Sequence, residues 1–129
     1  MQWERSPLTE AEWQIMEVLW ESAPATGRAV TERMKEKTGW SRSTTLTLLR
    51  RLEDKGAVVT DSEQGVKRFS PALRREDAAL RETESFLSRV YHGSVSLMVS
   101  SLTKKQSLSR EEVSELYAIL KELEAKDDG

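Results

Sequence analysis

The residues of this chain best suited to chemistry are the hydroxyls and guanidinium groups between Trp40 and Gly56. The run Trp40-Ser41-Arg42-Ser43-Thr44-Thr45-Leu46-Thr47-Leu48-Leu49-Arg50-Arg51-Leu52-Glu53-Asp54-Lys55-Gly56 reads as one helix. At about 100° of rotation per residue, with Leu49 at zero, Leu46, Leu48, Leu52 and Thr45 fall within about a third of a turn on either side. Ser43, Thr44, Thr47, Arg50 and Arg51 take the opposite side, and Arg42 stands at the helix start. This face offers many hydrogen-bond donors and no acid until its last turn, which is the chemistry that pairs with phosphates and base edges. Ser41 suits the N-cap and leaves the positive end of the helix facing a possible phosphate. Lys55-Gly56 closes the helix with a cation and a residue that tolerates the left-handed cap. Any amphipathic helix has a polar face, so the neighbouring elements must decide what this one is for.

The segment that follows reads as a hairpin. Ala57-Val58-Val59-Thr60 has strand composition, Asp61-Ser62-Glu63-Gln64-Gly65 has turn chemistry, and Val66-Lys67-Arg68-Phe69-Ser70 returns as a second strand before Pro71. A helix followed by a short hairpin, with Lys67 and Arg68 on the returning strand, is the order of a winged helix-turn-helix. There the helix enters the major groove and the wing holds the backbone beside it.

Upstream, Thr9-Glu10-Ala11-Glu12 is a capping box, and Leu8 with Trp13 has the spacing of a hydrophobic staple, so a first helix starts at Glu10. Trp13, Met16, Trp20, Ile15 and Leu19 give it a broad apolar face suited to core packing. Ala23-Pro24-Ala25 breaks the chain. Thr26 or Gly27 then opens a second helix through about Lys37, with Ala29, Val30 and Met34 inward, and Thr38-Gly39 turns into the third.

Composition narrows the remaining classes. At 129 residues and 37% apolar, the chain holds one domain with an appendage or two small ones. No run approaches a membrane span and the N-terminus lacks the apolar stretch of a signal peptide, so a cytoplasmic location is expected. With no cysteine and His92 as the single histidine, disulfides, thiolate metal sites and histidine-based catalytic triads are excluded within one chain. Neither a cofactor, a metal site nor enzyme activity is expected. The net charge is −2, yet Arg28 to Arg68 holds ten Lys/Arg against six Asp/Glu, while Pro71 onward holds nine against eleven. Positive charge is therefore local to the helix and hairpin, as in a docked module whose binding depends on salt.

The second half reads as partner helices. From about Arg74 to Tyr91, Leu80, Leu87, Val90 and Tyr91 recur at helical spacing until Gly93 interrupts. Leu97, Met98, Val99 and Leu102 form a short apolar helix that ends near Thr103-Lys104-Lys105. Ser109-Arg110-Glu111-Glu112 is a further capping box, and Val113, Leu116, Leu120 and Leu123 then form one apolar seam flanked by glutamates. Helices this short bury little alone, so a homodimer is the economical solution. The expected fold is mainly α with a small β-wing: a winged helix-turn-helix in residues 1–72 and a helical dimerisation domain in residues 73–129.

The order of these motifs resembles the penicillinase repressor family, of the BlaI, MecI and CopY type. The resemblance is carried by Trp40-Ser41, Thr44, Thr47-Leu48, Arg51-Leu52 and Lys55-Gly56, by Leu8-Thr9-Glu10-Ala11-Glu12, and by Val90-Tyr91-His92-Gly93. It covers roughly Leu8 to Leu123. It implies a dimeric repressor on a promoter palindrome, with one recognition helix per half-site and a role in antibiotic resistance. Position by position it makes Thr44, Thr47 and Arg51 groove-facing, with Arg42, Ser43 and Arg50 added from helix geometry and Lys67 and Arg68 as wing contacts. In the β-lactam-responsive branch it further implies a membrane-bound sensor protease as partner and a cut at an Asn-Phe bond in the dimerisation helices. This chain has no asparagine, and the corresponding stretch reads Val99-Ser100-Ser101-Leu102. The Cys-x-Cys pairs of the copper-responsive branch are missing too. Two other classes stay open at this point. One is a ligand-responsive regulator with Trp20, Tyr91 and Tyr117 around a cavity; the other is a winged-helix module that binds proteins.

Overall fold

A computed structural model of the chain describes residues 7–105 and 108–128; the expectation about the first residues of the N-terminus falls partly on positions outside that range. Each of the first three helices begins where a side chain satisfies orphan amides. In α1, Glu10–Ser22, the Thr9 hydroxyl accepts from the Glu12 amide at 3.1 Å and the Glu12 carboxylate accepts from the Thr9 amide at 2.8 Å, which is the reciprocal box expected from the sequence. Thr26 caps α2, Gly27–Thr38, and Ser41 caps α3, Arg42–Lys55. Trp40 thus precedes α3 and Gly56 follows it, so the helix is shorter than the run 40–56. Gly39 and Gly56 end their helices in the left-handed conformation that a side chain would oppose.

Ile15, Met16, Val18 and Leu19 of α1, Val30 and Met34 of α2, and Leu48, Leu49 and Leu52 of α3 form one core, closed by Leu8, Ala25, Ala57, Val58 and Phe69. Ala29, expected inward, is exposed. The inward stripe of α2 runs through Val30 and Met34, four residues apart, and Ala29 sits about 100° away from it. Leu46 and the indoles of Trp13, Trp20 and Trp40 are half-buried against this core.

The sheet has three antiparallel strands in the order β1-β3-β2, with β1 at Ala25–Thr26, β2 at Val58–Glu63 and β3 at Val66–Pro71. Two features differ from the sequence reading. The segment Asp61–Glu63, read as turn, continues β2, because Gln64 and Gly65 alone, both at positive φ, reverse the chain. And β1, at the Ala25 break, becomes a strand only through its pairing with Phe69 and Arg68.

The chain divides into two compact units, Met1–Glu82 and Thr83–Gly129, with the boundary inside α4, Arg75–Tyr91. The first turns of α4 belong to the first unit: Ala78 is buried, and Arg75 pairs with Glu17 at 2.7 Å while lying over the Trp13 ring. In the second unit, Phe86 meets Tyr91 edge-on, and the Tyr91 hydroxyl lies 2.8 Å from that of Ser101 on α5, Val95–Lys104. Ser109 and Glu112 form the capping box of α6, Arg110–Asp128. None of the described helices is long and apolar enough to cross a membrane.

Candidate nucleic-acid interface

The recognition-like face is built by anchoring α3 at both ends. Its inner stripe, Thr45, Leu48, Leu49 and Leu52, is buried, as the rotation argument requires. At its N-terminus the Ser41 hydroxyl accepts from the Thr44 amide at 3.2 Å and also contacts the hydroxyls of Ser43 and Thr44. At its C-terminus the Lys55 ammonium reaches the buried Glu12 carboxylate at 2.5 Å and the Pro7 carbonyl at 3.1 Å. Burial alone would raise the Glu12 carboxyl, but hydrogen bonds from Lys55 and Thr9 and the Lys55 charge outweigh it and hold the group below the usual carboxylate range.

With the helix so fixed, Arg42, Ser43, Thr44, Thr47, Arg50 and Arg51 are all exposed. The fold brings Ser43, Thr44, Thr47 and Arg51 together in one shallow depression that Trp40, Leu48 and Ala11 complete. Arg42 belongs to a second depression between α2 and α3, lined also by Lys35, Thr31, Trp40 and the ion pair of Arg28 with Glu32. Arg50 lines neither. The sequence alone did not mark Arg28 and Lys35 as part of this surface, and it marked Trp40 only through the family resemblance. The 28, 31, 35 spacing on one face of α2 was the available signal, hidden because it matters only once α2 lies beside α3.

The three guanidinium groups of α3 have no ion pair or hydrogen bond among the described residues. The wing cations differ. Lys67 pairs with Glu53 at 3.0 Å and lies over the Phe69 ring, and Arg68 makes a two-point bond to Asp61, at 2.9 Å for each contact, plus a bond to Glu63. The Arg68 hydrogen bonds hold the Asp61 carboxyl below its usual range and, in return, Asp61 ahead of Glu63 raises Arg68.

The apolar positions of the second unit are mostly open. Val90, Leu97, Leu102, Val113, Leu116, Leu120 and Leu123 are exposed, as are Phe86, Val95, Tyr117 and Ile119, while Leu87, Tyr91 and Met98 are partly covered; Leu80, exposed too, lies in the first unit. Val99, Ser100, Ser101 and Leu102 lie within α5 as regular helix. Of the three aromatic residues considered for a cavity, Trp20 is committed to the first unit: its indole N–H donates to the Leu73 carbonyl at 3.0 Å and its ring packs edge-on to Trp13. No group of three or more potential metal ligands occurs among the described residues.

Three helices, a third helix with an open hydroxyl and guanidinium face, and an antiparallel hairpin behind it define a winged helix-turn-helix protein. The chain belongs to the penicillinase repressor family, whose model matches residues 8–122. It is 33% identical over 115 residues to the penicillinase repressor of Bacillus licheniformis, covering 89% of this chain and 90% of that one. It is 26% identical over 113 residues to the methicillin resistance regulatory protein MecI of Staphylococcus aureus, covering 88% and 92%. Among solved structures, the monomeric form of Bacillus licheniformis BlaI in complex with the blaP half-operator matches with a TM-score of 0.50 at 28% identity, over 54% of this chain and 85% of that one.

Proposed function

We propose that this protein is a dimeric transcriptional repressor that binds a palindromic promoter operator, with residues 1–72 as the DNA-binding part and 73–129 as the dimerisation part. The observation that carries the reading is the outer face of α3. Three guanidinium groups without an ion pair among the described residues and the hydroxyls of Ser43, Thr44 and Thr47 stand on a helix pinned at both ends, in a chain whose BlaI relative was solved on a half-operator. Base edges are read by Thr44, Thr47 and Arg51, with Arg42, Ser43 and Arg50 beside them and Lys67 and Arg68 on the wing. Lys35 adds positive charge next to Arg42, where the backbone would pass, while Arg28 on the same surface pairs with Glu32 at 3.3 Å.

The exposed leucines of α4, α5 and α6 support the second half of the reading. The exposed seam of Val113, Leu116, Leu120 and Leu123 on α6 leaves its apolar surface in water unless a second copy covers it. Two heads held about one DNA turn apart, roughly 34 Å, would then bind a two-fold site, and each monomer alone would bind weakly. Derepression follows from a cut in the dimerisation helices, at or near Val99-Ser100-Ser101-Leu102, by a membrane-bound sensor protease. The reading is tested by selecting random duplex DNA with the purified protein at near-physiological salt. A symmetric enriched site supports it, and the absence of any enriched sequence refutes it.

A further inference from the structure

We propose that Asp61 and Glu63 set the DNA affinity of the wing, by holding the Arg68 guanidinium as an internal substitute for a backbone phosphate. The proposal rests on the DNA-binding reading above. Asp61 stands directly opposite Arg68 in the β2-β3 ladder, and Glu63 follows two residues later on the same face. The two parallel 2.9 Å contacts to Asp61 use the fork that a phosphate would take in the same geometry. Only 28% of the Arg68 side chain remains exposed. Lys67 is likewise held by Glu53. The hairpin carries two acids and two bases, so it offers a polyanion no net charge, whereas the arginines of α3 have no ion pair among the described residues. A phosphate that engages Arg68 must displace Asp61 and Glu63 and then sit beside both negative charges. The attraction of this protein for DNA is therefore concentrated on α3, and the wing is muted.

The test uses the full-length protein and two probes: a duplex enriched by the wild-type chain from a random pool, and an unrelated duplex of equal length and random sequence. Affinity is measured by fluorescence anisotropy across a salt series. Asp61→Asn with Glu63→Gln should bind both probes about two- to tenfold more tightly, with a log–log salt slope steeper by about one, the signature of one added phosphate contact. Arg68→Ala, added to the Asn/Gln variant, should abolish the whole gain. Unchanged affinity and slope would overturn the proposal. So would a gain that survives loss of Arg68, since that would reflect relief of charge repulsion alone. Should the double variant lose its hairpin, Asp61→Asn and Glu63→Gln singly must each give a partial gain, and failure of both overturns the proposal as well. A wild-type protein that binds neither probe at low salt would instead refute the DNA-binding reading, before any variant is compared.

Discussion

The Lys55 ammonium lies 2.5 Å from the Glu12 carboxylate, joining the last residue of α3 to the first turn of α1. Glu12 is only 1% exposed and simultaneously accepts from the Thr9 amide, so one carboxylate closes the cap of α1 and fixes the end of the helix that presents the arginines. Glu12→Ala removes the capping-box partner and leaves Lys55 facing the vacated site. Breaking a fully buried pair costs about 3–5 kcal/mol, but Lys55 is partly exposed and can reach water, so a loss of about 2 kcal/mol is expected. Urea unfolding followed by tryptophan fluorescence measures it. A change below about 0.5 kcal/mol, the level of an ordinary surface substitution, would show that the pair does not hold the head together.

The same carboxylate gives acid stability a definite sign. Its folded value lies below the ordinary 4.5, so between the two values the unfolded chain binds more protons and stability rises with pH. The contribution is complete above the ordinary value and disappears as pH falls through the folded one. Asp61, depressed by Arg68, acts in the same direction. Urea midpoints taken from neutral pH down to about pH 3 should fall with acidity, and Glu12→Gln should flatten part of that fall. An identical slope in the variant would assign the acid sensitivity elsewhere.

Thr45 offers the opposite case. It is fully buried on the inner face of α3, and its hydroxyl oxygen has no hydrogen-bond partner among the described residues. Thr45→Val keeps the branched shape and deletes a desolvated polar group, and should stabilise the protein by about 1 kcal/mol. Its DNA affinity should not change, since the residue faces the core. A lower urea midpoint would mean that the hydroxyl contributes a bond that the packing hides.

On the outer face, Arg51→Ala separates base contact from phosphate contact. If Arg51 reads a base, affinity for a selected duplex should fall by about 1–3 kcal/mol while affinity for a random duplex falls much less. Equal losses on both, measured by anisotropy at one salt concentration, would reassign Arg51 to the backbone.

For the dimer, Leu120 is the informative site, because it is 55% exposed within the chain. Leu120→Asp should cost the fold of a single chain little, on the order of 0.5 kcal/mol, yet it places a charge on the apolar seam of α6. Sedimentation equilibrium should show the wild type at twice the chain mass and the variant shifted towards the chain mass, with operator affinity reduced at least tenfold. A wild-type protein already at the single-chain mass would refute dimerisation through this seam.

Local chemistry made much of this protein legible in its sequence. The box at Thr9 and Glu12, the cap at Ser41, the left-handed ends at Gly39 and Gly56, and the helical spacing of Leu48, Leu49 and Leu52 are all set by residues within one or two turns of each other, so the helices and the outward side of α3 could be read directly. The tertiary structure decided what depends on residues far apart in the chain. Ala25 and Thr26 become a strand only because Phe69 and Arg68 arrive beside them; Trp40, Arg28 and Lys35 share a surface with Arg42 only once α2 packs against α3; Lys55 finds Glu12 across 43 positions. The same holds for charge. Sequence reading could count Lys67 and Arg68 as cations, but whether a cation is available to a partner depends on which carboxylates the ladder sets opposite it, and here the β2-β3 register sets Asp61 against Arg68.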